Sequence, residues 1–337
     1  MTSVETSPPT PSPAPAASSG GAAGGPFALV RLARVKQWAK GVFVFVAPLY
    51  GGKLSSAEGW GAALIGFLAI CLASSACYVY NDLRDVDADR AHPRKRRRPI
   101  ASGAVSVPTA RVFMGCLLLG ALAALAGLWY AAGSTSAGWV AAACGLHVGN
   151  MLVYSARFKH IVILDVISLA LGFVLRVLVG CAAVMVEPSP WLLNVTFFLA
   201  MFLAFGKRLG ERRTMGDDAS AARRVQASYT DELLRMVVVV TAVATLLTYA
   251  GWVQGLAERD ASSLAPSLHP QSFTPAAHAA LFWITMLPAT FGVFRCMVLV
   301  ERGDYDDPTE LATRDRPFQA AALLFVLITV GLMWWGR

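Results

Sequence analysis

The residues most able to do chemistry lie between Tyr78 and Gly103, in YVYNDLRDVDADRAHPRKRRRPIASG, where four carboxylates are followed by six cations. If the apolar segment before them is helical and stays so to Arg90, a turn of about 100° per residue puts Tyr78, Asn81, Asp82, Asp85 and Asp89 in one arc, with Asp87 pointing away. Carboxylates placed this way repel one another unless a hard cation sits among them. Mg²⁺ takes one or two protein carboxylates and fills its remaining positions with phosphate oxygens and water. Asn81, Asp82, Asp85 and Asp89 are therefore the candidate metal ligands, and Asp85 and Asp89 are also candidates for catalysis. The basic run from Arg94 to Arg98 suits the phosphate charge that such a metal leaves over, with Lys95, Arg96 and Arg98 as candidate substrate contacts beside Tyr78. A solvated loop at a membrane edge would carry the same basic run. It has no use for Asp at fourfold helical spacing so near hydrocarbon.

The elements that must position these residues are membrane helices. Of 337 residues 56% are hydrophobic and only 15% charged, and the mean hydropathy is +0.54. Several windows reach the roughly twenty apolar residues that span a bilayer. The expectation is an all-α, polytopic transmembrane bundle of about nine spans: 41–52, 59–80, 107–131, 137–153, 161–186, 191–205, 233–254, 277–300 and 318–335. Residues 1–25, rich in Pro, Ser, Ala and Gly, read as a disordered tail, and 26–337 as one integral domain. FALVRLARVKQWAK reads as an interfacial helix that brings Trp38 and Lys40 to headgroup depth, where Lys40 could face the site. The cations gather in alternate loops: Arg31 to Lys40, Arg84 to Arg98, Arg157 and Lys159, Lys207 to Arg224, and Arg302 to Arg316. The positive-inside rule makes those loops and the N-terminus cytoplasmic, in a multi-pass protein of the cell (inner) membrane with its active site on the cytoplasmic side.

Other constellations join the same side. YSARFKHIVILD offers Tyr154 and Lys159 at the membrane edge and Asp165 one turn inside the next span, where a carboxylate is costly unless paired. FGKRLGERR places Lys207, Arg208 and Glu211 on one helical face; Asp217 and Asp218 follow as a weaker pair. Arg176, about four turns into its span, suits a structural role, whereas Arg295 is near enough to the charged side to touch a phosphate. SYTDELL resembles a capping box, with Ser228 or Thr230 as the cap. The loop DYDDPTELATRDRP offers carboxylates and cations that could cover the site.

Much is excluded. The six Cys lie within or beside apolar runs with no CxxC pair, so disulfides and structural zinc are not expected. The five His form no ligand pattern, and no phosphate-binding glycine loop, nucleophile elbow, redox motif or nucleic-acid module is present. The partners implied are the bilayer and phosphorylated ligands rather than nucleic acid; a homo-oligomer is left open.

NDLRDVDAD, with its NDxxDxxxD spacing at the cytoplasmic end of the second span, resembles the UbiA superfamily of intramembrane prenyltransferases over roughly Arg34 to Trp335. HPRKRRRPIASG, KQWAK, FKH, GKRLGE, SYT and TRDRP resemble more narrowly the branch that works on polyprenyl phosphates. This resemblance implies Mg²⁺-dependent transfer of a 5-phosphoribosyl group from phosphoribosyl diphosphate to decaprenyl phosphate, releasing diphosphate. Asn81, Asp82, Asp85 and Asp89 would hold the metal, and the basic run, Lys159, Lys207 and Arg208 the phosphates. Prenyl transfer to an aromatic or quinone-precursor acceptor is the alternative, disfavoured because the loop after span six lacks a second Asp-rich motif. A non-enzymatic anion carrier is disfavoured because the charges crowd one face.

Overall fold

The computed structural model describes residues 25–91, 95–215, 229–263, 281–303 and 314–335. The expected tail to residue 24, Arg94, Asp217, Asp218, Ser228 and residues 304–313 lie outside the described residues. No strand occurs among those described.

The chain opens with α1 (Pro26–Leu32), a 3-10 helix (Val35–Phe45) and α2 (Val46–Tyr50). Arg34 joins the first two with a left-handed backbone, φ 52, and the indole of Trp38 donates to Ser75 at 3.0 Å while Ser75 donates to the Ala33 carbonyl at 2.8 Å. These bonds pin the joint to α3 (Ala57–Arg84), whose start is capped by Ser56 accepting from the Gly59 amide at 3.1 Å. Small residues at helical spacing along α3, among them Ala62, Gly66, Ala69, Ala73 and Ala76, are buried and let its neighbours approach closely.

After α4 (Val86–Ala91) comes α5 (Val107–Ala156), begun by Ser106 as cap with Pro108 in the first turn. It contains two of the expected spans. At Gly133 the backbone turns to φ 88, ψ 168, a conformation that only glycine adopts cheaply. The first half packs beside Ala76 and Val79 of α3, and Ser136, just past the turn, donates to the carbonyls of Ala182 and Ala183 at the end of α6 (Leu164–Ala183). Lys159, just after the second half, returns to Asp85, so the chain reverses at Gly133.

α7 (Pro190–Met215), α8 (Asp231–Ser263), α9 (Met286–Arg302) and α10 (Arg316–Trp335) complete the bundle. The 3-10 helix lies so close to α6 that a Cβ on Gly180 would run into the Val44 carbonyl. Among the described residues seven helices are long and apolar enough to cross a membrane. By that measure the expected nine are not recovered: α5 counts once, and the first expected span, 41–52, is a 3-10 stretch followed by the short α2.

The charged ends of these helices meet. Ion pairs link α3 to the 95–98 turn, to Arg34 and to Lys159, and others link α6 to α7, α7 to α8 and α9, and α9 to Asp315. The described charged residues that flank the alternate loops thus lie at one end of the bundle.

Candidate active site

The expected continuous helix to Arg90 is not formed. α3 stops at Arg84, Asp85 leaves helical geometry at φ −96, ψ 10, and α4 restarts at Val86. This break separates the carboxylates. Asp82 and Asp89, both buried, converge on one nitrogen: Nη1 of Arg98 donates to Asp82 at 3.1 Å and to Asp89 at 2.7 Å. Arg34 donates to the same Asp82 oxygen, Oδ1, at 2.5 Å and lies over the Tyr78 ring, 5.1 Å from its centre. Asp85, turned out by the break, takes both carboxylate bonds from Lys159, at 2.8 and 2.9 Å. Asp87 points away, exposed beside Arg90, as expected.

The expected four-ligand set is therefore split. Among the described residues no three His, Cys, Asp or Glu stand close enough to hold a metal by themselves. Two do converge. Asp82 and Asp89 come from separate helices to a point now held by a guanidinium, Asn81, one residue before Asp82, is half-buried, and two carboxylates are what Mg²⁺ takes when a diphosphate supplies the rest. The donor set fits such an ion once Arg98 turns from the carboxylates to phosphate oxygens.

The balance of charge supports that exchange. Arg34, Arg98 and Lys159 face Asp82, Asp85 and Asp89, three cations against three anions. An incoming anion would thus enter a neutral cluster whose cations are already aimed and half-buried. Of the basic run, Arg98 reaches the carboxylates, Lys95 is half-buried and Arg96 is exposed. Lys40, Tyr154, Lys207 and Glu211 are half-buried.

Asp165 and Arg208 form an ion pair with each other, and Asp165 is fully buried. Tyr229 donates to Asp165 at 2.7 Å, and burial, helped by that bond, pushes its phenol well above the ordinary range, so it stays protonated. Arg295 pairs with Asp315 at 2.9 Å, and Asp315 also accepts from the Phe318 amide at 2.8 Å as the cap of α10. Arg176 is bonded to the Gly172 carbonyl of its own helix at 2.6 Å and to the Ser74 hydroxyl at 3.2 Å. Thr230 caps α8 through the Leu233 amide, at 3.1 Å.

Two residues of the cluster carried little sequence signal. Arg34 was legible only as a cation before the first span, and Tyr229 as a neighbour of a helix cap and the middle residue of SYT, with no role attached. Beyond the charged cluster, a cavity of about 1330 Å³ opens between the 3-10 helix, α7, α8, α9 and α10, with Phe43, Leu199, Tyr249, Val293, Phe325 and Val330 in its wall.

Residues 42–312 match the UbiA prenyltransferase family. The chain belongs to that family. It is 32% identical over 302 residues to decaprenyl-phosphate phosphoribosyltransferase of Mycolicibacterium smegmatis, covering 88% of this chain and 90% of that protein. Identity to the protein of the same name from Corynebacterium glutamicum is also 32%, over 90% of this chain and 85% of that one. Among solved structures, a UbiA homolog from Archaeoglobus fulgidus bound to GPP and Mg²⁺ shares the fold, with a TM-score of 0.60 and 20% identity over 91% of this chain and 99% of that one. The UbiA chain described here is a multi-pass membrane protein and a membrane-embedded transferase enzyme.

Proposed function

We propose that the protein transfers a 5-phosphoribosyl group from phosphoribosyl diphosphate to a polyprenyl phosphate such as decaprenyl phosphate, with Mg²⁺, at the cytoplasmic face of the cell membrane. The observation that carries this reading is the convergence of Asp82 and Asp89 on Arg98, beside the Lys159–Asp85 pair, at the charged end of a bundle with a large apolar cavity. The relatives named for this reaction, alike over most of their length, support the choice of substrates.

Asp82 and Asp89, with Asn81 one residue before Asp82, would hold the metal, which when bound neutralises charge on the diphosphate. Arg98, Arg34 and Lys159 turn from carboxylates to phosphate oxygens. As the bond between the anomeric carbon and the diphosphate oxygen lengthens, negative charge grows on the leaving group. Cations already fixed around it stabilise the transition state more than the ground state. The lipid phosphate oxygen forms the new bond to the anomeric carbon; already ionised at neutral pH, it needs no general base. The polyprenyl chain lies in the apolar cavity, which keeps the lipid in the membrane while its phosphate stands at the charged end.

The test is turnover of labelled phosphoribosyl diphosphate by purified protein with decaprenyl phosphate, with Mg²⁺ or with EDTA. A labelled lipid that forms only with the metal is expected. Consumption of a prenyl diphosphate with an aromatic acceptor, and no labelled lipid, would overturn the reading in favour of prenyl transfer.

A further inference from the structure

Between Lys159 and Asp165 the chain passes through Ile163, whose backbone stands at φ 70, ψ −46. For a β-branched residue this is an outlier, close to the rare and strained γ-turn pair. Such a conformation persists only where its surroundings over-determine it. Here the Ile163 amide donates to the Tyr229 hydroxyl at 2.7 Å, while that hydroxyl donates to Asp165 Oδ1, also at 2.7 Å. Asp165 Oδ1 accepts as well from the Val166 amide at 2.9 Å, and its other oxygen faces Arg208. The Tyr229 ring is wholly buried, against Phe205 and below the Arg208 guanidinium. One hydroxyl therefore satisfies both ends of the strained turn, from a residue 66 positions away.

That turn is the tether of Lys159. The short 3-10 helix Phe158–His160 has no side-chain cap, its residues are half-buried or exposed, and Ile161 and Ile163 are themselves exposed. The Ile161 amide donates to the Phe158 carbonyl at 3.0 Å, the Asp165 amide donates to the Ile161 carbonyl at 3.1 Å and Val162 packs on the core, so the segment that carries Lys159 is continuous with the turn at Ile163. The Lys159 ammonium meets both oxygens of Asp85.

We infer that Tyr229 is a positioning residue for the transfer reaction: its hydroxyl holds Ile163 in the strained turn and so lays Lys159 onto Asp85 and the phosphate site. This rests on the reading of Lys159 as a contact of the donor's phosphates. Tyr229 itself is wholly buried and acts through Lys159.

The experiment is a double-mutant cycle with second-site rescue. Y229F keeps the ring and loses the hydroxyl. It is expected to lower kcat/KM for phosphoribosyl diphosphate by about tenfold, the scale of one lost buried hydrogen bond, and to change it by less than about twofold when Lys159 is already Met. Adding Ile163→Gly to Y229F is expected to restore much of the loss, because glycine takes positive φ without being held. Hydrogen–deuterium exchange over 158–165 should quicken in Y229F with no substrate present. Equal losses in the parent and K159M backgrounds, no rescue by glycine, or unchanged exchange would each overturn the inference and leave Tyr229 as packing. If Y229F does not fold, the Y229F/I163G pair still decides: glycine is expected to restore fold and turnover together only if the hydroxyl's task is to hold that backbone. If the parent protein makes no phosphoribosyl lipid, the proposed reaction fails, but the exchange measurement still tests the clamp.

Discussion

Two acidic clusters of the same residue types stand at one end of this bundle and differ in access to water. In the first, Asp85 and Lys159 are 27% and 20% exposed, and Asp82 and Asp89, themselves buried at 2% and 4%, are met by Arg34 and Arg98, 28% and 27% exposed. In the second, Asp165 and Arg208 are 0% and 4% exposed. A half-exposed pair can exchange partners when an anion arrives, since water screens the intermediate stages. A sealed pair cannot, because parting its charges leaves each without solvent or counter-ion. The first cluster is thus suited to binding and the second to fixing the loop that serves it, although from sequence both were candidates for substrate contact.

The comparison breaks if the first cluster proves structural. Asp89→Asn is expected to reduce turnover by about 10²–10³-fold, the scale seen when groups that stabilise transition-state charge are removed, while the melting temperature changes little. EDTA should reproduce the loss in the parent protein. A large fall in melting temperature with turnover kept would reverse the assignment.

The sealed pair should behave in the opposite way. Asp165→Ala is expected to destabilise the protein by about 3–5 kcal/mol, because Arg208 is left charged and buried. Adding Arg208→Met should recover part of that stability, as read by thermal unfolding in detergent. Failure of the second substitution to help would mean that Asp165 serves the Tyr229 hydroxyl and the Val166 amide more than the ion pair.

A third pair lies between these extremes. Asp315 is held below the usual carboxylate range chiefly by its hydrogen bond to Arg295, helped by the Phe318 amide. A carboxylate with a lowered folded pKa contributes stability that is fully present above its unfolded value of about 3.9 and is lost as pH falls through the lowered one. Melting curves between pH 7 and pH 3 should therefore show an acid-side loss that is smaller in Asp315→Asn. The smallest effect is expected at Arg235 and Glu301, 51% and 45% exposed. Arg235→Ala should change stability by less than about 1 kcal/mol.

The membrane class, the gathering of charge at one end and the candidacy of Asp82, Asp85, Asp89, Lys159 and Arg98 were all legible in the sequence. Hydropathy, loop charge and short-range spacing are local properties, and the cost of burying charge in hydrocarbon makes them informative. The spacing NDxxDxxxD misled in one respect, for it assumed a helix unbroken at Asp85. A single turn out of helical geometry sent that carboxylate to Lys159, 74 residues on. Arg34 joining Asp82, Arg208 being consumed by Asp165 and Tyr229 holding Ile163 were decided by the tertiary structure alone. Each is a contact between residues 43 to 66 positions apart, and whether a charge meets water, a phosphate or another side chain depends on how helices pack rather than on the residues beside it.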